Sequence, residues 1–209
     1  KLIEVLRYGE NPHQQSAIYS KNDNLSISQL SGKKLSYNNY NDIYAALNIS
    51  KTLPKNTGTV IVKHANPCGV SVNKNKTESY KEALSCDPIS AFGGIVSCNF
   101  KVNKKIALEL SKIFLEVIIA LGFDKVSLKI LKKKKNLRLI DASKLKGDNL
   151  SNITSNFNSL LLQNVDNKIF SKDNFKVVSK IKPSKKILND LLFAFNVCRN
   201  VKSNAIVLT

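Results

Sequence analysis

Short apolar runs recur along this chain, and segments with helical spacing separate them. The runs hold three or four consecutive, mostly aliphatic residues, which is typical of strands buried on both faces. We predict strands at 60–62, 95–97, 117–120 and 137–140. We predict helices at 42–53, 78–85, 103–114 and 124–135. Strands that alternate with helices favour an α/β fold, a layered mixed sheet with flanking helices.

A polar stretch divides the chain. Residues 141–159 are rich in Ser, Asn, Lys and Asp, which predicts a loop or a subdomain boundary. Beyond it, a Lys-Pro-Ser sequence at 182–184 opens a long apolar helix that we expect to reach about Val201 and to lead into a last strand at 202–207. The expected domains are therefore 1–145 and 146–209.

A heptapeptide at the end of a predicted strand combines a base with a cation. Residues 63–69 read Lys-His-Ala-Asn-Pro-Cys-Gly, and the chain has only two histidines. Histidine titrates near neutral pH and suits proton transfer, and Lys63 directly precedes His64. Pro67 and Gly69 predict a bend here, so that both side chains converge at the strand end. The alternative is a hydrogen-bonded loop histidine beside a solvated lysine.

Three further segments combine turn residues with polar side chains. Residues 6–14 place an arginine, a tyrosine and the second histidine around an Asn-Pro turn. At 86–94, a turn and a glycine pair lead into a predicted strand. At 202–207, Lys-Ser-Asn-Ala-Ile-Val brings polar donors to the expected last strand. Together with the heptapeptide, these segments favour an enzyme site.

These four segments, in this order, resemble the AICAR transformylase domain of the bifunctional AICAR transformylase/IMP cyclohydrolase family, where AICAR is aminoimidazole carboxamide ribonucleotide. The resemblance covers most of the chain and is weakest from about 132 to 180. It implies cytidine-deaminase-like subdomains. The first would occupy 1–145, and a truncated second at 146–209 would hold a loop, the long helix and its first strand. The segments that match best are 6–14, 35–39, 62–70, 86–99, 116–120 and 202–207.

The resemblance implies formyl transfer from 10-formyltetrahydrofolate to the 5-amino group of AICAR. That amine is a weak nucleophile because its lone pair is delocalised into the imidazole ring, so a base must remove its proton during attack. The family pattern assigns this role to His64. It also implies that Lys63, helped by Asn204, stabilises the charge on the formyl oxygen, which lowers the barrier by about 2.7–4 kcal/mol.

Substrate-binding residues follow from the same resemblance. Arg7 and Tyr8 match the pair that holds the nucleotide phosphate, and arginine offers a planar fork of donors for phosphate oxygens. Gly93 would allow close approach of the backbone to the ligand, and Glu116 would accept a hydrogen bond from the base or carboxamide. His13 would support the site without touching substrate, and a purely structural role for it is an equal alternative.

The net charge of +18 raises a different function, a basic nucleic-acid-binding module. The lysines are dispersed among asparagines, and the dense run at 132–135 is typical of a solvated helix end. Aromatic residues are not interleaved with that run, as stacking on bases would require. We therefore predict no specific nucleic-acid partner. The resemblance implies a homodimer that binds AICAR and the folate.

No apolar run approaches the roughly 18 residues of a membrane helix, and no signal sequence opens the chain. We expect a cytoplasmic protein without membrane contact. The four cysteines are irregularly spaced, so we expect reduced thiols. Pro67-Cys68 near His64 partly matches a zinc deaminase, but Asn66 stands where the acid is needed and no second cysteine follows. We therefore predict no metal.

Some residues depart from the family pattern. Leu121 stands where a proline is expected, and Asn158-Ser159 replace a glycine pair. The cyclohydrolase domain would precede Leu6, and further residues for folate and phosphate would follow Thr209. We therefore expect the 209-residue chain alone to be inactive. The alternative is a non-catalytic remnant that keeps the fold as a dimer subunit or scaffold.

Overall fold

A computed structural model describes residues 1–21, 24–145, 151–166 and 168–209. The chain forms two compact units, Lys1–Leu145 and Lys146–Thr209. The assignment of these units to two cytidine-deaminase-like subdomains stays a prediction.

The first unit contains a six-stranded mixed sheet with helices packed against it, as the sequence predicts. The strands of the whole unit are β1 (Leu2–Leu6), β2 (Ser16–Tyr19), β3 (Ser28–Ser31), β4 (Gly58–Lys63), β5 (Asn66–Val72), β6 (Ile95–Cys98), β7 (Val117–Ala120) and β8 (Arg138–Asp141). Its helices are α1 (Tyr37–Ser50), α2 (Lys76–Cys86), α3 (Pro88–Ala91), α4 (Lys104–Leu110) and α5 (Lys125–Leu131).

The order of strands in the large sheet is β3-β8-β7-β6-β4-β5. The inner strands β6, β7 and β8 are parallel, whereas β4 runs antiparallel to both of its neighbours and β3 runs antiparallel to β8. Every residue of β6 and β7 is buried, which explains their continuous apolar sequences. The strands β1 and β2 pair with each other in a separate two-stranded sheet.

Short polar residues begin the helices of this unit. The Ser36 hydroxyl accepts from the Asn39 N–H and the Asn39 side chain accepts from the Ser36 N–H, which closes a capping box at the start of α1. The side chains of Asn75, Asn103 and Asp124 each accept one backbone N–H at the start of α2, α4 and α5. The predicted helices all form, although α4 and α5 end about four residues earlier than expected.

Four strands of the first unit were not apparent from the sequence. The strands β1, β2 and β3 are largely exposed or only partly buried, and β5 was interpreted as a loop because it contains Pro67 and Gly69. Both residues are accommodated because β5 lies at the edge of the sheet. A Cβ atom at Gly69 would collide with the carbonyl oxygen of Ala83 in α2, so this glycine permits close packing of helix on strand.

The second unit contains a hairpin and one long helix. The hairpin pairs β9 (Asn152–Asn156) with β10 (Ser159–Gln163) in antiparallel register. A 3-10 turn occupies Lys172–Asn174, and α6 spans Lys185–Cys198 behind its cap Ser184. Three phenylalanine rings pack edge to face beside this helix, with centroids 4.7–6.4 Å apart. They are Phe170, Phe175 and Phe195.

The structure corrects two expectations for this part of the chain. The stretch 141–159 was expected to be a loop or a subdomain boundary. The division between the two units falls within it, after Leu145, but the stretch also contains β9 and the first residue of β10, while residues 146–150 lie outside the described part. The expected strand at 202–207 does not form, and the helix before it ends at Cys198 instead of about Val201. A strand requires a hydrogen-bonding neighbour, and none of the described strands pairs with 202–207. Among the helices described, none is long and apolar enough to span a membrane.

Candidate active site

The Lys-His motif lies in a tight hairpin turn. Strand β4 ends at Lys63 and β5 begins at Asn66, so His64 and Ala65 alone make the connection. Their φ angles are +55° and +58°, as a type I′ turn requires at both central positions. The predicted bend at Pro67 and Gly69 is therefore wrong in position, because the chain reverses three residues earlier. The turn displays His64 at the end of the sheet.

Lys63 reaches towards the segment that contains Gly93. Its Nζ donates to the carbonyl oxygen of Phe92 at 2.9 Å. The pairing of β4 with β5 shifts register between Ile61 and Val62, and such an irregularity changes the direction of the side chains that follow it. The ammonium group thereby lies beside the backbone that precedes Gly93.

Gly93 adopts a conformation that favours glycine. Its φ is +73°, and its N–H donates to the carbonyl oxygen of Phe114 at 2.9 Å. The next residue, Gly94, accepts from the N–H of Glu116 at 3.0 Å. These two bonds bring the predicted ligand-binding glycine next to the predicted base-recognition residue.

Glu116 is held by two polar neighbours at the start of β7. Its Oε2 accepts from Asn39 Nδ2 at 3.0 Å and lies 3.6 Å from Arg138 Nη1. About 43% of the Glu116 side chain is exposed, whereas only 14% of Arg138 is. Both contacts use the same carboxylate oxygen, so neither of them occupies Oε1. A substrate N–H group is a chemically suitable partner.

The first turns of α1 connect three of the predicted segments. Asn38 Nδ2 donates to the carbonyl oxygen of Glu10 at 3.2 Å, and Asn39 donates to Glu116. One turn later, Asp42 Oδ1 accepts from the N–H of Ala65 at 2.7 Å. The helix thus joins the opening loop, the start of β7 and the His64 turn.

Asp42 is partly shielded from solvent. Burial raises the pKa of its carboxyl above the ordinary value, whereas the N–H groups of Ala65 and His64 and the charge of His64 oppose the rise. The nearby charge of Glu116 adds to the increase. The hydrogen bond to Ala65 therefore forms where solvent is partly excluded, which strengthens such bonds.

The opening loop presents Arg7 to solvent. The guanidinium carbon lies 5.5 Å from the centroid of the Tyr8 ring, and the Tyr8 carbonyl accepts from Ser16 Oγ at 2.6 Å. Gly9 and Gln14 close the loop through a backbone bond of 2.8 Å. His13 is exposed at the loop's tip, and its supporting role stays a prediction.

Asn204 belongs to the second unit, after α6. Its side chain is exposed, and Oδ1 accepts from the neighbouring Ser203 Oγ at 3.1 Å. Its role beside Lys63 stays a prediction.

The cysteines of this chain are free thiols. Cys68, four residues after His64, has its pKa raised to about 11, chiefly by burial. Burial likewise raises the pKa of Cys98 to about 12. In the described ranges, no group of three or more His, Cys, Asp or Glu residues is arranged to hold a metal ion.

Sequence reasoning missed three residues of this cluster, namely Asn39, Asp42 and Arg138. In a chain with abundant asparagine, nothing in the local pattern separates Asn39 from its neighbours. Arg138 carried a usable signal, because it is one of only three arginines in a chain in which lysine supplies nearly all the positive charge. Arginine is favoured over lysine where a carboxylate must be held in fixed geometry.

Comparison with known proteins gives one consistent result. The family model described as "AICARFT/IMPCHase bienzyme" matches residues 1–209. Proteins named "Bifunctional purine biosynthesis protein PurH" from Clostridium kluyveri and Prochlorococcus marinus are each 44% identical to 99% of this chain. The corresponding protein of Caldicellulosiruptor saccharolyticus is 42% identical. The chain spans about 42% of the length of these relatives. It belongs to the AICARFT/IMPCHase bienzyme family.

Proposed function

We propose that this chain acts in purine biosynthesis, in the transfer of a formyl group from 10-formyltetrahydrofolate to the 5-amino group of AICAR. One observation carries the proposal. Helix α1 joins the opening loop, the His64 turn and Glu116 by side-chain hydrogen bonds, and Lys63 extends the cluster to Gly93. Residues far apart in sequence therefore lie at one end of the sheet, where a bound nucleotide can meet the imidazole of His64.

Arg7 and Tyr8 bind the phosphate of AICAR in this proposal. The Arg7 guanidinium is exposed, and its described contact is with the Tyr8 ring, so its donors are available to phosphate oxygens. Gly93 lets the nucleotide approach the backbone, and Glu116 accepts from the amine or carboxamide. The carboxylate is already oriented by Asn39 and Arg138, which reduces the ordering required on binding.

His64 is the general base, and Lys63 with Asn204 stabilises charge on the formyl oxygen. The amine attacks the formyl carbon while His64 accepts its proton. The Lys63 ammonium exchanges its contact with the Phe92 carbonyl for the developing oxyanion. Collapse of the tetrahedral intermediate breaks the bond between the formyl carbon and the folate nitrogen. That nitrogen takes the proton from His64 and leaves as tetrahydrofolate, and formyl-AICAR remains.

The folate lies beside the nucleotide in this proposal. Phe92 and Phe114 flank Gly93, with ring centroids 5.4 Å apart, and both rings are exposed. Together with the exposed Ile89, they offer an apolar surface to a flat heteroaromatic ring. The positive charge of the chain favours the approach of phosphate and of a glutamate tail.

We propose a homodimer in the cytoplasm. Support for association comes from the hairpin of the second unit, where apolar residues of both strands are exposed by 60% or more. They are Ile153, Leu160, Leu161 and Leu162. Support for a reducing compartment comes from the four free thiols.

The test is a titration of the isotope-labelled chain with AICAR, followed by backbone NMR. We expect shift changes at 7–9, 64–66, 93–94 and 116, and saturation with one nucleotide per chain. A short arbitrary oligonucleotide is the matched comparison, because the alternative of a basic nucleic-acid-binding module predicts tighter binding to it with steep salt dependence. Saturation by the oligonucleotide with no response to AICAR would overturn the proposal. The chain could also be joined to the segments of a relative that lie outside the matched region. If it binds AICAR but the joined protein is still inactive, the alternative of a non-catalytic remnant is correct.

A further inference from the structure

The turn that carries His64 is locally unfavourable. Both of its residues have positive φ, and both carry a Cβ atom, which crowds the backbone in that region. Type I′ turns usually place Asn, Asp or Gly at these positions. Backbone strain of this kind persists only where surrounding contacts hold it. The structure should therefore contain a group that stabilises the His64-Ala65 turn from outside.

Asp42 is that group. Its Oδ1 accepts from the N–H of Ala65 at 2.7 Å, and the N–H of His64 also favours its carboxylate. The helix holds this carboxylate in place. The next residue, Ile43, is fully buried, and a capping box at Ser36 stabilises the N-terminal end of α1. A rigid helix thus presents an acceptor to the N–H groups of a strained turn.

Among the described residues, two charged side chains influence the Asp42 carboxylate, and they act in opposite directions. His64, when protonated, attracts the carboxylate, and Glu116 repels it. Asn39 and Arg138 hold the Glu116 carboxylate, which limits its approach to Asp42. The charge on Asp42 is therefore directed mainly at the His64 turn.

We infer that Asp42 is a positioning residue, which fixes the backbone of His64 and thereby the direction of the imidazole. The inference rests on the proposed function, in which His64 is the general base. Asp42 acts through the turn and not on substrate. A general base must point at the proton it removes, and small displacements of such a group reduce rates strongly.

The experiment uses NMR of the 209-residue chain, in which His64 and His13 are the only two histidines. In Asp42→Ala, we expect the Ala65 amide to exchange about tenfold faster, as loss of one charge-assisted hydrogen bond predicts. The φ-dependent couplings of His64 and Ala65 should move towards averaged values, and the imidazole resonances of His64 should shift. Those of His13, in the opening loop, should stay in place and serve as the internal control.

Two further variants separate positioning from general stability. Asp42→Asn keeps an oxygen acceptor of the same shape, so most of the protection at Ala65 should return. Asp42→Ala combined with Ala65→Gly should restore the couplings at both turn positions, because glycine adopts positive φ without a Cβ clash. Neither rescue is expected if Asp42 serves only the overall fold.

Unchanged His64 and Ala65 signals in folded Asp42→Ala would overturn the inference. If Asp42→Ala does not fold, the same comparison is made with Asp42→Asn, and rescue of folding by Ala65→Gly supports the inference while its absence overturns it. Failure of the wild-type chain to bind AICAR would instead overturn the proposed function, and this titration is independent of the measurements on the turn.

Discussion

Replacing Arg7 by alanine should weaken phosphate binding with little effect on the fold. Arg7 is exposed, and its described contact is a cation–π approach of 5.5 Å to the Tyr8 ring. An exposed contact of this kind contributes about 0.5–1 kcal/mol at most. If Arg7→Ala weakens AICAR binding by more than about 1 kcal/mol, loss of the contact with Tyr8 cannot account for the effect, and Arg7 must contact the ligand.

The expected magnitude follows from the bond that is lost. A hydrogen bond between a guanidinium and a phosphate contributes about 1.5–3 kcal/mol. Arg7→Ala should then raise the Kd for AICAR by roughly 10- to 150-fold. Arg7→Lys keeps the charge but loses the planar fork, so its Kd should lie between those of the wild type and Arg7→Ala.

Isothermal titration calorimetry at one fixed salt concentration measures these constants. Lys55→Ala is the matched control, because it removes one positive charge from an exposed loop that precedes β4, whereas the candidate site lies where β4 ends. The riboside of AICAR, which lacks phosphate, is the second control and should bind the wild type and Arg7→Ala equally. Equal Kd values of the two proteins for AICAR, or the same loss for the riboside, would refute the assignment.

Four further predictions have separate measurements. In a chimera in which this chain replaces the matching segment of the Clostridium kluyveri relative, His64→Ala should lower kcat for formyl transfer and leave KM nearly unchanged. A change confined to KM would contradict the role of His64 as the base. The chain alone should show no turnover with AICAR and 10-formyltetrahydrofolate, and repeated turnovers in an absorbance assay would show that the rest of the relatives' length is dispensable. Ile118→Ala, in the fully buried strand β7, should lower the free energy of unfolding by about 2–5 kcal/mol in urea titrations, whereas Val178→Ala, at an exposed side chain, should change it by less than about 0.5 kcal/mol. Iodoacetamide at pH 8 should label the exposed Cys86 before Cys68, because burial raises the pKa of Cys68 to about 11 and keeps it a thiol; mass spectrometry of the peptides decides this.

The parts of the fold that were predicted correctly are those in which local sequence and burial agree. Strands β6 and β7 are buried at every residue, so their apolar runs identify them directly. Strand β5 was missed because Asn-Pro-Cys-Gly is typical of a turn. Its place at the edge of the sheet depends on β4, and local sequence contains no information about that neighbour.

Some residues of the candidate site could be recognised from the sequence, and others only from the structure. Lys63 and His64 were apparent because histidine is rare in this chain and the Lys-His sequence matches a family motif. Asn39 and Asp42 were not, since an asparagine or an aspartate near the start of a helix is ordinarily explained by capping. Their role follows from the atoms they reach, Glu116 and Ala65, which lie 77 and 23 residues away along the chain.

Helix α1 connects the stability of the core to the geometry of the site. One side of it is buried through Ile43 and Leu47, while Asn38 and Asp42, four residues apart on another side, bond to the opening loop and the His64 turn. A rotation of the helix that improved the packing of Ile43 would therefore move the acceptor of Asp42 away from Ala65. Close-packed cores permit few such rotations, so the buried face of α1 fixes the direction of its polar face. The apolar residues under α1 are thus part of what positions His64, although none of them touches a substrate.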